Sequence, residues 1–154
     1  MSRNLLLDAT LLLGLVLLGV VGYRLAPMFA PRSDITLPLS GCDIGRQACV
    51  ATLPDGGQVE FSIEPRPIPV LKPLQLRATF RGTIASRVEV DFTGSDMRMG
   101  YNRPQLVRQD DGRQFAGQTS LPVCITGEMA WDATLLVDSG KSLVAVPFRF
   151  VAGH

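Results

Sequence analysis

A continuous apolar run near the N-terminus constrains this chain more than any other feature of its sequence. Residues 5–23 contain one charged side chain, Asp8, which lies near the start of the run. Because a helix rises about 1.5 Å per residue, a helical run of this length approaches the thickness of the hydrocarbon core of a bilayer, about 30 Å. Tyr23 and Arg24 at the far end suit the interface between lipid and water. The run therefore predicts one transmembrane helix, with residues 1–25 as an N-terminal membrane anchor.

Two other interpretations of the apolar run are open. A cleaved signal peptide would explain Arg3 before the run, but the run is long and no clean small-x-small cleavage site follows it. A lipoprotein signal would use Cys42, which follows Leu-Ser-Gly, but a polar, proline-containing stretch separates this cysteine from the run. We favour the uncleaved single-span anchor. Basic residues on both sides, Arg3, Arg24 and Arg32, leave its orientation open.

The remainder of the chain divides into a linker and a β domain. Residues 26–40 contain Pro27, Pro31 and Pro38, which predicts an extended, non-helical linker. Residues 41–154 carry short segments in which apolar and polar side chains alternate, and turn signals separate these segments. The predicted strands cover residues 49–53, 59–63, 74–80, 88–92, 106–109, 114–119, 131–137 and 143–150.

This strand pattern predicts the fold class. Seven or eight short strands with no convincing soluble helix favour an all-β fold, an immunoglobulin-like antiparallel β-sandwich preceded by the one N-terminal transmembrane helix. A small closed barrel is the alternative. The proline-rich crossing at residues 64–73 lies outside the central strands in either fold, because each proline removes a donor from the hydrogen-bond ladder.

The composition excludes several classes of function. The chain has 15 Lys and Arg residues against 14 Asp and Glu residues, so it lacks the basic footprint of a nucleic-acid-binding protein. Histidine occurs once, at His154. A single histidine removes the Ser-His-Asp and Cys-His catalytic arrangements and the histidine-rich metal sites. We therefore expect a protein that is not an enzyme and does not bind nucleic acid.

Three cysteines, Cys42, Cys49 and Cys124, lie in the predicted β domain. Outside the cytoplasm two of them would pair and one would be left over. A loop disulfide between Cys42 and Cys49 and a longer bridge from either one to Cys124 are both compatible with the sequence. The spacing is not that of a thioredoxin-like pair or a zinc knuckle, and no nearby histidine or lysine would activate a thiolate.

Two segments could carry a sulfur-rich site. The first, residues 94–104, places Met97 and Met99 two residues apart, so that both thioethers point to one face if the segment is extended. The second, residues 121–131, adds Cys124 and Met129. If the two segments meet, the four sulfur atoms could bind a soft ion such as Cu(I). The competing interpretation is packing of the methionines on Trp131, the expected core tryptophan of the sandwich, because sulfur–aromatic contacts are favourable.

The chain also resembles a known family. The motifs DFTGSDMRMGYNRPQL, DGRQFAGQTSLPVC and GEMAW, together with a short N-terminal anchor before a compact β domain, are similar to the FixH/YtkA-like proteins of bacteria. The likeness covers about residues 49–150. Met97 and Met99 match methionine-bearing positions of that group, although no histidine lies near them. The resemblance implies a domain on the periplasmic side of the cytoplasmic membrane, linked to copper handling or to assembly of respiratory oxidases.

These observations lead to one expected function and one alternative. We expect a single-pass protein of the bacterial cytoplasmic membrane with its soluble domain in the periplasm. It would act as an accessory protein that binds Cu(I) or assists assembly of a respiratory or metal-handling membrane complex. The alternative is a structural interaction module that holds a partner without metal.

Overall fold

A computed structural model describes residues 3–29, 34–96, 100–122 and 127–153 of the chain, and within the N-terminal helix it describes the side chains of residues 11–24. The chain divides into two compact units, Met1–Arg32 and Ser33–His154. The first contains the helix, and the second contains the whole β-sheet.

The first unit is helix α1 (Arg3–Phe29). Its described side chains are all exposed, and the leucines and valines among them show between 46% and 71% of their surface. Within the described part of the chain, no helix meets the length and apolarity required of a membrane span. The helix includes Pro27, which the sequence placed in an extended linker. Proline fixes φ near −65°, a helical value, so a proline two residues before the end of a helix does not force the backbone to extend.

The second unit contains nine strands. Eight of them match the predicted strands, and β1 lies inside the segment that was predicted to be a linker. Their bounds are β1 (Ile35–Thr36), β2 (Cys49–Thr52), β3 (Gln58–Glu64), β4 (Leu74–Arg81), β5 (Arg87–Gly94), β6 (Gln105–Arg108), β7 (Gln114–Thr119), β8 (Met129–Asp138) and β9 (Leu143–Ala152).

The strands form one sheet in the order β1-β9-β8-β5-β6-β7-β4-β3-β2. All neighbours pair antiparallel except β1, which pairs parallel with β9. Phe61 of β3 and Phe148 of β9 are distant in this order, yet their ring centroids lie 5.7 Å apart. The sheet therefore curls back on itself. The all-β prediction is confirmed in the form of a nine-stranded curled sheet.

The curled sheet encloses one apolar core. Trp131, predicted to be a core residue, has no exposed surface, and Phe92 packs edge-to-face on Phe150 with 6.4 Å between centroids. In β5 the apolar side chains at every second position are buried, which is the pattern that alternation predicted. Burial of these side chains at about 25 cal/mol per Å² of apolar surface is the main stabilising contribution.

The strands give the domain two distinct ends. One end, which we call the turn end, contains four short connections between strands: residues 53–57, 82–86, 109–113 and 139–142. The chain enters the domain at the same end, where the Leu143 N–H donates to the Asp34 carboxylate at 3.0 Å. At the opposite end, which we call the loop end, the longer connections 65–73, 95–104 and 120–128 leave the sheet.

Candidate functional site at the loop end

The predicted sulfur site belongs to the loop end. Met97, Met99 and Cys124 lie outside the described residues. Met129 is the first residue of β8, where it pairs with Ala152 of β9. Its side chain is half-buried and packs against the core, so the one described member of the predicted set makes apolar contacts.

Residues at or next to the ends of the two sulfur-bearing segments are joined by hydrogen bonds. The Ser95 N–H donates to the Ala130 carbonyl at 3.0 Å. On the other side, the Asn102 side chain accepts a hydrogen bond from the Thr119 hydroxyl at 2.9 Å and donates one to the Ser120 carbonyl at 3.1 Å. Each end of the first segment therefore lies beside one end of the second segment at the loop end.

One of the disulfide pairings left open by the sequence is present. Cys42 and Cys49 are bonded and close a short loop before β2. Cys49 is fully buried, and Cys42 packs against the core at its edge. Because the chain has three cysteines, Cys124 has no second cysteine in this chain with which to pair.

Two ion pairs order the polar surface near the loop end. Arg103 donates to Asp91 at 3.0 Å, and its guanidinium also lies over the ring of Tyr101, 5.6 Å from the centroid. Asp91 raises the pKa of Arg103 further above its usual value. Arg149 donates to both oxygens of Asp132, at 2.7 and 3.0 Å, and this contact lowers the pKa of Asp132.

Harder metal ions find no evident ligand set in the described part of the domain. Among those residues no three His, Cys, Asp or Glu side chains gather as a shared metal would require. The acidic side chains named above are already held by arginines.

Sequence reasoning missed one residue at the loop end. Arg66 lies in the proline-rich crossing, and its side chain is three-quarters buried, with 25% of its surface exposed. Its Nη1 atom pairs with Glu64 at 3.2 Å, while its Nε and Nη2 atoms are buried and have no acceptor among the described residues. The only signal in the sequence is a single charged residue between two prolines.

Comparisons with known proteins leave the chain without an assigned family. No family model matches it, and no curated protein matches it. The crystal structure of an engineered protein resembles 70% of this chain with 15% sequence identity and a TM-score of 0.44. This chain spans about a fifth of the length of that protein, because the match covers 20% of it. A likeness at that TM-score supports no conclusion about fold or function.

Proposed function

We propose that this protein is a membrane-anchored periplasmic accessory protein that binds Cu(I) through sulfur at the loop end of its β domain. Copper delivery to a respiratory or other metal-handling membrane complex, or assistance in its assembly, is the role that this proposal assigns. The observation that carries it is the set of hydrogen bonds, Ser95 to Ala130 and Asn102 to Thr119 and Ser120, that brings the flanks of both sulfur-bearing segments to one end.

The copper part rests on chemistry as well as position. Thioethers and thiolates are the ligands that Cu(I) prefers, and the two segments supply three methionines and one cysteine. The disulfide between Cys42 and Cys49 means that Cys124 is not used in a disulfide with either of them. The lack of histidine weighs against Cu(II) and zinc but not against Cu(I).

The membrane part rests on the N-terminal run. Helix α1 contains 27 residues, about 40 Å of helix at 1.5 Å per residue. Its described leucine and valine side chains are exposed, as Leu13 and Leu18 are with 63% and 71% of their surface. The apolar run in the sequence begins earlier, at Leu5. A lipid environment would remove this apolar surface from water.

The disulfide supports the side of the membrane that we propose. Structural disulfides form and persist in oxidising compartments such as the periplasm and are rare in the cytoplasm. The finer fold assignment, an immunoglobulin-like sandwich of the FixH/YtkA-like group, belongs to the same proposal. Its support is the antiparallel strand pairing within the two parts of the sheet that face each other, together with the buried Trp131.

The alternative is an interaction module in which the methionines are packing residues. Met129 favours it, because that side chain packs against the core. The two candidates separate on metal dependence: a partner that co-purifies equally well with and without copper supports the module, and a copper-dependent complex supports the accessory protein.

Competition for Cu(I) tests the proposal. The full chain, kept in detergent under anaerobic conditions, is titrated against a coloured Cu(I) chelator. The Met97→Leu/Met99→Leu variant is expected to bind Cu(I) at least tenfold more weakly. Met28→Leu serves as the matched control, since it makes the same side-chain change in helix α1. Equal affinity in the double variant, the control and the original chain would refute the methionine site.

A further inference from the structure

The proline-rich crossing between β3 and β4 carries an arginine, Arg66, in which two guanidinium nitrogen atoms have no hydrogen-bond partner among the described residues. Arg66 lies between Pro65 and Pro67, and its Nη1 atom is 3.2 Å from the Glu64 carboxylate. The Nε and Nη2 atoms are both buried, and in the described part of the chain neither has an acceptor. Buried donors are almost always paired, because an unpaired one loses its hydration without compensation.

The two unpaired atoms are the two that form one fork of a guanidinium. Another arginine in this domain shows what such a fork holds. Arg149 donates from its Nε and Nη2 atoms to the two oxygens of Asp132, at 2.7 and 3.0 Å. A carboxylate accepts two parallel hydrogen bonds from this fork through its two oxygens, which a single acceptor atom cannot do. The unpaired Nε and Nη2 atoms of Arg66 therefore have the geometry of a carboxylate-binding site.

The same crossing carries a strained residue. Leu71 has a φ of 57°, in the left-handed region that non-glycine residues rarely adopt, and 66% of its surface is exposed. It is held there by its N–H, which donates to the Leu121 carbonyl at 2.9 Å. Between the two residues, Ile68 is buried and anchors the crossing to the core. Backbone strain of this kind concentrates at ligand clamps and moving segments.

We infer that Arg66 binds a carboxylate through its Nε and Nη2 atoms when the crossing, residues 65–73, lifts from the sheet. Lifting is required because both nitrogen atoms are shut off from solvent in the arrangement described. Lifting breaks the hydrogen bond from Leu71 to Leu121 and exposes Ile68. Release of the positive φ at Leu71 and completion of the fork at Arg66 offset these losses in the ligand-bound state. This site is separate from the sulfur segments, and the inference holds or fails independently of copper binding.

The test follows the side-chain N–H of Arg66 directly. The full chain, labelled with ¹⁵N and kept in detergent micelles, is titrated with sodium acetate and, at the same ionic strength, with sodium chloride. Acetate is expected to give a saturating shift of the Arg66 Nε–H signal and of the Leu71 amide. The Arg149 Nε–H signal is the internal control, since its fork is already filled. Equal shifts with acetate and chloride would overturn the inference.

Two variants make the test specific. Arg66→Lys keeps the charge but removes the fork, so acetate binding, followed at the Leu71 amide, should weaken at least tenfold; unchanged binding would overturn the inference. Glu64→Gln removes a negative charge 3.2 Å from the guanidinium and should tighten acetate binding a few-fold. Loosened binding in that variant would contradict the expected repulsion between the Glu64 carboxylate and the bound acetate.

A final pair of ligands identifies the source of the carboxylate. A short peptide with a free C-terminal carboxylate is compared with acetate and with the same peptide carrying an amidated C-terminus. Binding at least tenfold tighter than acetate assigns the site to a protein C-terminus, and binding equal to acetate assigns it to small carboxylates. If the amidated peptide binds as tightly as the peptide with a free C-terminal carboxylate, Arg66 does not recognise the carboxylate and the inference fails.

Discussion

The disulfide between Cys42 and Cys49 offers the most direct quantitative prediction of stability. The bond closes a loop of eight residues, because the two cysteines are seven positions apart. Loss of the loop constraint raises the entropy of the unfolded chain, which for a loop of this size costs about 2.5 kcal/mol at 25 °C. The Cys42→Ala/Cys49→Ala variant should lose about this much free energy of unfolding.

Urea denaturation of the full chain in detergent measures the effect. The single tryptophan, Trp131, is fully buried and reports unfolding by fluorescence. With an m-value of about 1.5 kcal/mol/M, the midpoint should fall by about 1.7 M. Wild-type chain treated with a reductant is the matched control and should show nearly the same shift without any substitution. A reduced wild type whose midpoint lies within about 0.3 M of the oxidised protein would refute the reasoning.

Further predictions concern close packing and pH. A Cβ on Gly57 would lie 2.5 Å from the Cβ of Thr83, so Gly57→Ala should destabilise the domain by about 1–3 kcal/mol, whereas Gly41→Ala, which meets open space, should change the urea midpoint little. The Arg149 contact lowers the pKa of Asp132 below its ordinary 3.8, so the stability it contributes is present above that value and is lost as the pH falls through the lowered pKa. Urea midpoints measured from pH 5 to pH 2 should therefore fall less steeply in Asp132→Asn than in the wild type, and equal slopes would contradict the assigned role of the pair.

Much of the fold follows from local sequence. Alternation of apolar and polar side chains located eight strands, because each has one face on the core and one toward solvent, so that burial enforces a period of two. The same logic identified Trp131 as a core residue. Strand order was not available from the pattern, since adjacent strands in the sheet such as β4 and β7 are separated in sequence by two others.

The short strand β1 was missed for a physical reason. It contains only two residues, Ile35 and Thr36, which are too few to show an alternation of apolar and polar side chains. Its position is set by hydrogen bonds to β9, more than a hundred residues away, where the Leu37 N–H donates to the Ala145 carbonyl at 2.9 Å. Long-range pairing of this kind leaves no signal in the local sequence.

The candidate sites were predictable to different degrees. Residue types suggested the sulfur segments, but only the hydrogen bonds at Ser95 and Asn102 showed that their flanks lie together. The disulfide was one of several open pairings, because three cysteines do not define their own connectivity. Arg66 could not be singled out at all, since the unpaired state of its Nε and Nη2 atoms depends on how the crossing packs against the rest of the domain.

X-ray absorption at the copper edge tests the central proposal most directly. The full chain is loaded anaerobically with one equivalent of Cu(I) and freed of excess metal before measurement. We predict stoichiometric copper with a first shell of sulfur alone, and loss of sulfur ligands in the Met97→Leu/Met99→Leu variant. Copper that is removed with the excess, or a shell of nitrogen and oxygen only, would contradict a sulfur site at the loop end.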